Sequence, residues 1–194
     1  MKTPDMTGAK TFEEWVEMHD SEFQQNDCNK AHHASLIRCA KDSEIIKELG
    51  VCQGGSLSAM LRQHPKKIIG VDIEPFRFNP YMPLFKDYAE RNDVEFEFHA
   101  KSSLDNSVVS PCDMMHIDSL HSPDHLMKEL ILHAPTVKKY IVMHDTCNFK
   151  STTGLLVAMA KYITEQDQSW QIVEHYPHRV GHTVIQRINR DDYI

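Results

Sequence analysis

Two groups of residues in this 194-residue chain have the types and spacing to do chemistry. The first begins at "KELGVCQGGSLSAML" (47–61), where Gly50, Gly54 and Gly55, three of the chain's seven glycines, fall within six positions. Glycine accepts positive φ and carries no Cβ to keep a ligand away, so a Gly-rich strand-to-helix turn offers backbone N–H groups and a helix N-terminus. An acid about 20 residues further on, at the end of the next strand, can accept hydrogen bonds from both hydroxyls of a ribose. Asp72 in "IIGVDIEP" stands there. A Gly-Gly pair is also often a plain surface turn, and that reading stays beside the first. The glycines read GxxxGG rather than GxGxxG, and no GK[ST] follows. A nucleoside without a pyrophosphate is therefore the expected ligand.

The second group is Asp118 in "CDMMHIDS" with His144 and Asp145 in "KKYIVMHDT", about 26 residues later. Each acid closes an apolar run, so adjacent parallel strands would bring them together. Two carboxylates and an imidazole suit a divalent cation, and oxygen-rich ligation favours Mg²⁺, Mn²⁺ or Ca²⁺ over structural zinc. The alternative is that Asp118 caps the next helix while His144 and Asp145 bond loop backbone. His121 is the nearest general base, since imidazole titrates close to neutrality; a solvated loop histidine is the other reading. His32, His33, His125, His133, His175 and His178 show no ligand spacing, and nothing marks Cys112 or Cys147 as a nucleophile.

These residues must be positioned by strands and helices. "TFEEWVEMHDSEFQQ" and "NKAHHASLIRCAKD" have helical spacing. "SEIIKELG" reads as a strand, "SLSAMLRQH" as a helix with Leu57, Met60 and Leu61 on one face, and "KKIIGVDIEP" as a β-rich run. "DYAERND" ends a helix, "VEFEFHA" alternates like a strand, and "CDMMHIDS" is apolar. "SPDHLMKELILHAP" predicts a helix with Met127, Leu130, Ile131 and Ala134 inward. "KKYIVMHDT", "TGLLVAMAKYITEQ", "WQIVEHY" and "GHTVIQRI" complete the alternation as strand, helix and two closing strands. Alternating strands and helices imply an α/β fold with a mostly parallel sheet, covered on both faces. Ligands of such sheets lie beyond the strands' carboxyl ends, where Gly50, Asp72, Ser102, Asp118 and Asp145 all fall. One domain is expected over 1–194, with a helical extension (1–41) and a ligand-binding core (42–190). The extension and the loop "FRFNPYMPLF" are candidates to cover an acceptor; the loop's aromatics also fit ordinary packing.

A net charge of −7 and the lack of a basic run argue against nucleic acid or an anionic membrane as partner. Residues 1–10 lack the apolar core of a signal peptide, and no stretch approaches the ~18 apolar residues of a membrane span. Five cysteines without a CxxC pair suggest reduced thiols and a cytoplasmic setting. A homo-oligomer stays open.

"ELGVCQGGS" resembles the first motif of class I S-adenosylmethionine-dependent methyltransferases, in the GVxxGGS form of macrocin-type and cephalosporin-hydroxylase-like small-molecule O-methyltransferases. The resemblance continues through "GVDIEP", "HIDSLHSPDHLMKEL", "IVMHDT" and "GHTVIQRI", about residues 30–188. It implies a Rossmann-like seven-stranded sheet with an antiparallel last strand, and S-adenosylmethionine as cofactor. Around the methionine part it implies Glu48, Gly50 and Gly54, with Val51, Gly55 and Ser56 of the same turn. Asp72, with Ile73 beside it, would take the ribose; Ser102 and Ser103 would border the adenine; Asp118 would also touch the cofactor. Metal-dependent relatives ligate from the positions of Asp118, His144 and Asp145, so Mg or Mn is expected there, with Asp118, His121 and Asp145 as catalytic groups. Two departures stand out. Cys52 replaces a common glycine, and Leu120 replaces the second acid of the usual DGD. The implied reaction is methyl transfer to a hydroxyl of a small molecule, a sugar or polyhydroxylated metabolite. Alternatives are a cephalosporin-hydroxylase-like oxidation or, given Leu120, non-catalytic S-adenosylmethionine binding. No NPPY or DPPY tetrad of nucleic-acid amino-methylation occurs at the right place.

Overall fold

The computed structural model describes residues 6–23, 27–147 and 153–188. The expected ends of the first helix (24–25) and of the core (189–190) lie outside the described residues. Seven strands form one sheet: β1 (Ile45–Leu49), β2 (Lys67–Val71), β3 (Glu95–His99), β4 (Cys112–Ile117), β5 (Val137–His144), β6 (Trp170–Tyr176) and β7 (His182–Arg187). Their order is β3-β2-β1-β4-β5-β7-β6. The pairs among β1 to β5 are parallel, and β7 runs antiparallel to both β5 and β6. This is the seven-stranded, mostly parallel architecture expected from the sequence. The order turns back between β1 and β4, with Glu48 opposite His116 and Leu49 opposite Ile117. A crevice therefore opens where those two strands end.

Alternation along the strands divides the core. Ile46, Ile68, Met114, Val142 and Val184 face one side, against residues of α1 (Phe12–Phe23), α2 (Asp27–Lys41), α3 (Gly55–Leu61) and α4 (Met82–Arg91). Leu49, Ile69, Met115, Ile141 and Ile185 face the other, against α5 (Pro123–His133) and α6 (Thr153–Lys161). The loop after β2 packs inward: Phe78 lies 4.9 Å from Phe85, and Trp15 of α1 lies 5.0 Å from Phe85 and 6.0 Å from Tyr81 (ring centroids). Of the two roles expected for these aromatics, packing describes Phe78, Tyr81 and Phe85. Truncating a buried ring such as Phe85 to Ala costs about 3–5 kcal/mol.

Of the four residues expected inward on and just after α5, Leu130 and Ala134 are buried and Met127 packs half-buried against the core, and only Ile131 departs. Leu126, Glu129, Leu130 and His133 are buried, whereas Ile131 is 52% exposed. Ile131 turns outward, and the buried side of the helix takes in a carboxylate and an imidazole beside the expected Leu130. His133 Nε2 donates to the Ser103 carbonyl at 2.7 Å, and the Glu129 partners face the crevice described next.

Candidate active site

The glycine-rich turn is shaped from within the protein. Gly50, directly after β1, has φ +88°, and a Cβ there would come within 2.1 Å of the Asp118 carbonyl oxygen. Gly54 has φ +98°, and its Cβ would meet the Phe78 and Phe85 rings below 3 Å. Both positions require glycine because the backbone is left-handed and the neighbours are close. Cys52 also adopts positive φ, at +52°. Asp72 fastens this turn: its Oδ2 accepts from the amides of Val51 (2.8 Å) and Cys52 (2.7 Å), and its Oδ1 from the amide of Glu74 (2.7 Å). A carboxylate has about four acceptor positions, so most of Asp72's capacity is used internally.

Across the crevice, β4 and β5 deliver the ionisable group. Asp145 is one of five non-glycine residues, among those described, with positive φ (+55°), a strained conformation. His121 Nε2 lies 2.8 Å from Asp145 Oδ2 and 3.3 Å from Asp118 Oδ1. His144 Nδ1 lies 3.4 Å from Asp145 Oδ1 and 3.6 Å from Asp118 Oδ1. Asp118 and Asp145 hold the His121 imidazole as a cation, pushing its pKa up to about 10. Burial works against charge on His144, but the same carboxylates outweigh it and raise its pKa. Burial likewise opposes ionisation of Asp118, and His144 and His121 overcome it, holding the carboxyl well below its usual range. The cap of α5 is Ser122, whose Oγ accepts from the His125 amide. Asp118 is thus not the helix cap that offered the alternative to a metal role.

This donor set fits a divalent cation. One ligand atom each from Asp118, His121 and Asp145 lies within 4.8 Å of the others. The His144 Nδ1 is buried without a hydrogen-bonded partner beside the same two carboxylates. The group that the structure brings together thus has His121 in the place expected for His144, which lies beside the same two carboxylates.

Both halves open into one cavity of about 600 Å³, within the range of small-molecule sites. Gly50, Asp72, Ile73, Ser102, Ser103, Asp118, His121, His144 and Asp145 line it. Glu48, Val51, Gly54, Gly55 and Ser56, expected around a cofactor, do not. Glu48 is fully buried behind the turn, where Oε1 accepts from Ser56 Oγ and lies 2.8 Å from His116 Nδ1. Its neighbours Val51 and Gly54 are buried too, because the turn that presents Gly50 points them inward. Cys52, Arg77, Ser119, Leu120 and His125 line the cavity without having been singled out for it. For His125 a signal existed: it lies four residues before Glu129, on the same side of a helix.

The family model described as rhamnosyl O-methyltransferase/CmcI matches residues 34–186. No curated protein matches the sequence. Among solved structures, the S-adenosylhomocysteine-bound methyltransferase PaMTH1 of Podospora anserina is 14% identical, covering 96% of this chain and 89% of its own, with a TM-score of 0.64. The O-methyltransferase TomG of Streptomyces achromogenes, involved in tomaymycin synthesis and solved with S-adenosylmethionine, is 13% identical (93% and 91% covered, TM-score 0.60). A putative caffeoyl-CoA O-methyltransferase of Staphylococcus aureus is 12% identical (89% and 91% covered, TM-score 0.65). At these identities the structural likeness is one of fold.

Proposed function

The chain belongs to the rhamnosyl O-methyltransferase/CmcI family of S-adenosylmethionine-dependent methyltransferases, and from that footing we propose that it methylates a hydroxyl of a small molecule with the help of a divalent cation. The observation that carries this reading is the single cavity that joins the Gly50–Asp72 turn to the Asp118–Asp145 cluster. When bound, S-adenosylmethionine would supply an electrophilic methyl for in-line attack by an acceptor oxygen, the sulfonium S–CH3 bond breaking to release S-adenosylhomocysteine. Asp72 and Ile73 would hold the ribose, Ser102 and Ser103 the adenine, and Gly50 the approach of the methionine part.

Asp118, His144 and Asp145 would hold Mg²⁺ or Mn²⁺, which at such a site lowers the pKa of a bound hydroxyl. Their shared task is positioning: an acceptor oxygen held between Asp118 and Asp145 loses its freedom to leave the reactive line. His121 enters as a cation, so it cannot take a proton as it stands. It becomes a base only when the charge of the two carboxylates is otherwise neutralised, which removes the cause of its raised pKa. Burial of Asp145, 8% exposed, keeps water from competing for that carboxylate. A sugar or polyhydroxylated metabolite is the acceptor class proposed.

The test pairs calorimetric binding of S-adenosylmethionine with release of S-adenosylhomocysteine across sugars, catechols and other hydroxylated metabolites, with and without Mg²⁺ or Mn²⁺. Cation-dependent turnover of one acceptor is the expected result. Cofactor binding with no turnover across the panel would leave a binding protein, and absence of cofactor binding would end the proposal.

A further inference from the structure

Among the described carboxylates that line the cavity, Asp118 and Asp145 are the pair left to hold an ion. Asp72 is committed to the turn amides, and Glu74 pairs with the Arg77 guanidinium at 2.9 Å. Leu120 beside the cluster brings no third acid. What surrounds the pair is nitrogen. His121 Nε2 lies 2.8 Å from Asp145 Oδ2, and His144 Nδ1 lies 3.4 Å from Asp145 Oδ1. The same two nitrogens lie 3.3 and 3.6 Å from Asp118 Oδ1. An ion on Asp118 Oδ1 and either oxygen of Asp145 therefore has an imidazole nitrogen beside it.

The His144 contacts carry a further sign. At 3.4 and 3.6 Å they exceed the ordinary N–H···O range. Nδ1 is nevertheless buried, and among the described residues it has no hydrogen-bond partner. Leaving a buried polar atom so is costly. Two ligand atoms at 2.0–2.2 Å from one tetrahedral ion stand about 3.3–3.6 Å apart, which matches the spacing found.

We propose that the cation is a transition metal bound through imidazole nitrogen, and that His121 and His144 set the site against Mg²⁺ and Ca²⁺. This preference rests on the cation reading above and deepens it. Mg²⁺ and Ca²⁺ take oxygen ligands, and either would leave the buried nitrogen of His144 without a partner. Imidazole suits first-row transition metals, and the affinity of a mixed nitrogen and oxygen site rises from Mn²⁺ to Co²⁺.

The experiment strips the protein with chelator and titrates it with Mn²⁺, Co²⁺, Zn²⁺ and Mg²⁺ by calorimetry. Pulsed electron paramagnetic resonance of the Mn²⁺-loaded protein reads a bound nitrogen directly, through its magnetic coupling to the metal. The wild type is expected to show imidazole coupling and to prefer Co²⁺ over Mg²⁺ by about 100-fold or more. Combining His121→Asn with His144→Asn keeps an oxygen for the ion at each position but removes both ring nitrogens. That variant should lose the coupling and narrow the Co²⁺ to Mg²⁺ ratio by about tenfold or more. Circular dichroism checks folding; if the double variant does not fold, the single variants repeat both readings, and one of them at least must weaken the coupling. No nitrogen coupling in the wild type, or a metal ratio unchanged in the variants, overturns the assignment. A wild type that binds S-adenosylhomocysteine but none of the four ions overturns the cation reading itself, and this assignment with it.

Discussion

At the Gly50 end of the cavity the geometry is backbone geometry. Left-handed glycines set the turn, and three amides converge on Asp72. At the Asp145 end it is side-chain geometry: two carboxylates and two imidazoles hold one another at 2.8–3.6 Å. The first end satisfies itself, and its shape needs no ligand. The second is an electrostatic balance, which shifts with pH or with any added charge. Rigid recognition and adjustable chemistry are thus separated along one crevice.

The comparison is broken most directly at the turn. Gly50→Ala must displace the Asp118 backbone and adopt a left-handed conformation. We expect a loss of about 3 kcal/mol or more, which for a chain of this size lowers Tm by roughly 6–12 °C. Because the clash falls on Asp118, one substitution should damage both ends. A melting curve matching that of the wild type would show the turn to be softer than drawn.

Charge removal separates the ends. Asp145→Asn keeps shape but unbalances the cluster, so methyl transfer should slow by about 100-fold or more while cofactor affinity holds. Asp72→Asn should do the reverse, weakening cofactor binding by about 10- to 100-fold through the turn amides and the ribose together. Calorimetry with single-turnover assays distinguishes them. Equal effects on binding and transfer in both variants would mean the ends are not independent.

The smallest expected effect is in the pH dependence of stability, where histidines of opposite sign compete. Asp118 and Asp145 raise His121 from 6.5 to about 10. Its contribution is full below about pH 6.5 and fades as pH climbs through about 10. Burial, aided by neighbouring His144, lowers His32 to about 4, and burial with nearby His116 lowers His182 to about 2. Their contribution is present above pH 6.5 and is lost as pH falls toward those values. Tm should therefore decline on both sides, and His121→Gln should flatten the alkaline limb alone. An acid limb that moved with it would tie His32 and His182 to the Asp118–Asp145 cluster.

The sequence by itself determined the alternation of strands and helices, the parallel sheet, and the residues at the carboxyl ends of the strands. Those are local matters: periodicity, glycine punctuation and the position of an acid after an apolar run all lie within a few residues of one another. Gly50, Asp72, Ser102, Asp118 and Asp145 could be placed because a strand's end is a point in the chain as well as in space. Tertiary structure decided which way side chains turn once there. Glu48 and Ser56 belong to the turn motif yet pair behind it, Glu48 buried within β1 beside His116 and Ser56 reaching it from the first turn of α3. The inward face of α5 was ambiguous because two stripes, one step apart, both satisfy a 3.6-residue period. Glu129 and His133 join the buried side because their polar atoms find partners there, Ser119 just after β4 and the Ser103 carbonyl between β3 and β4. His121 shows the same limit in its charge: its type and place were legible, but its proton affinity is set by two carboxylates on different strands, which only the fold brings within hydrogen-bond distance.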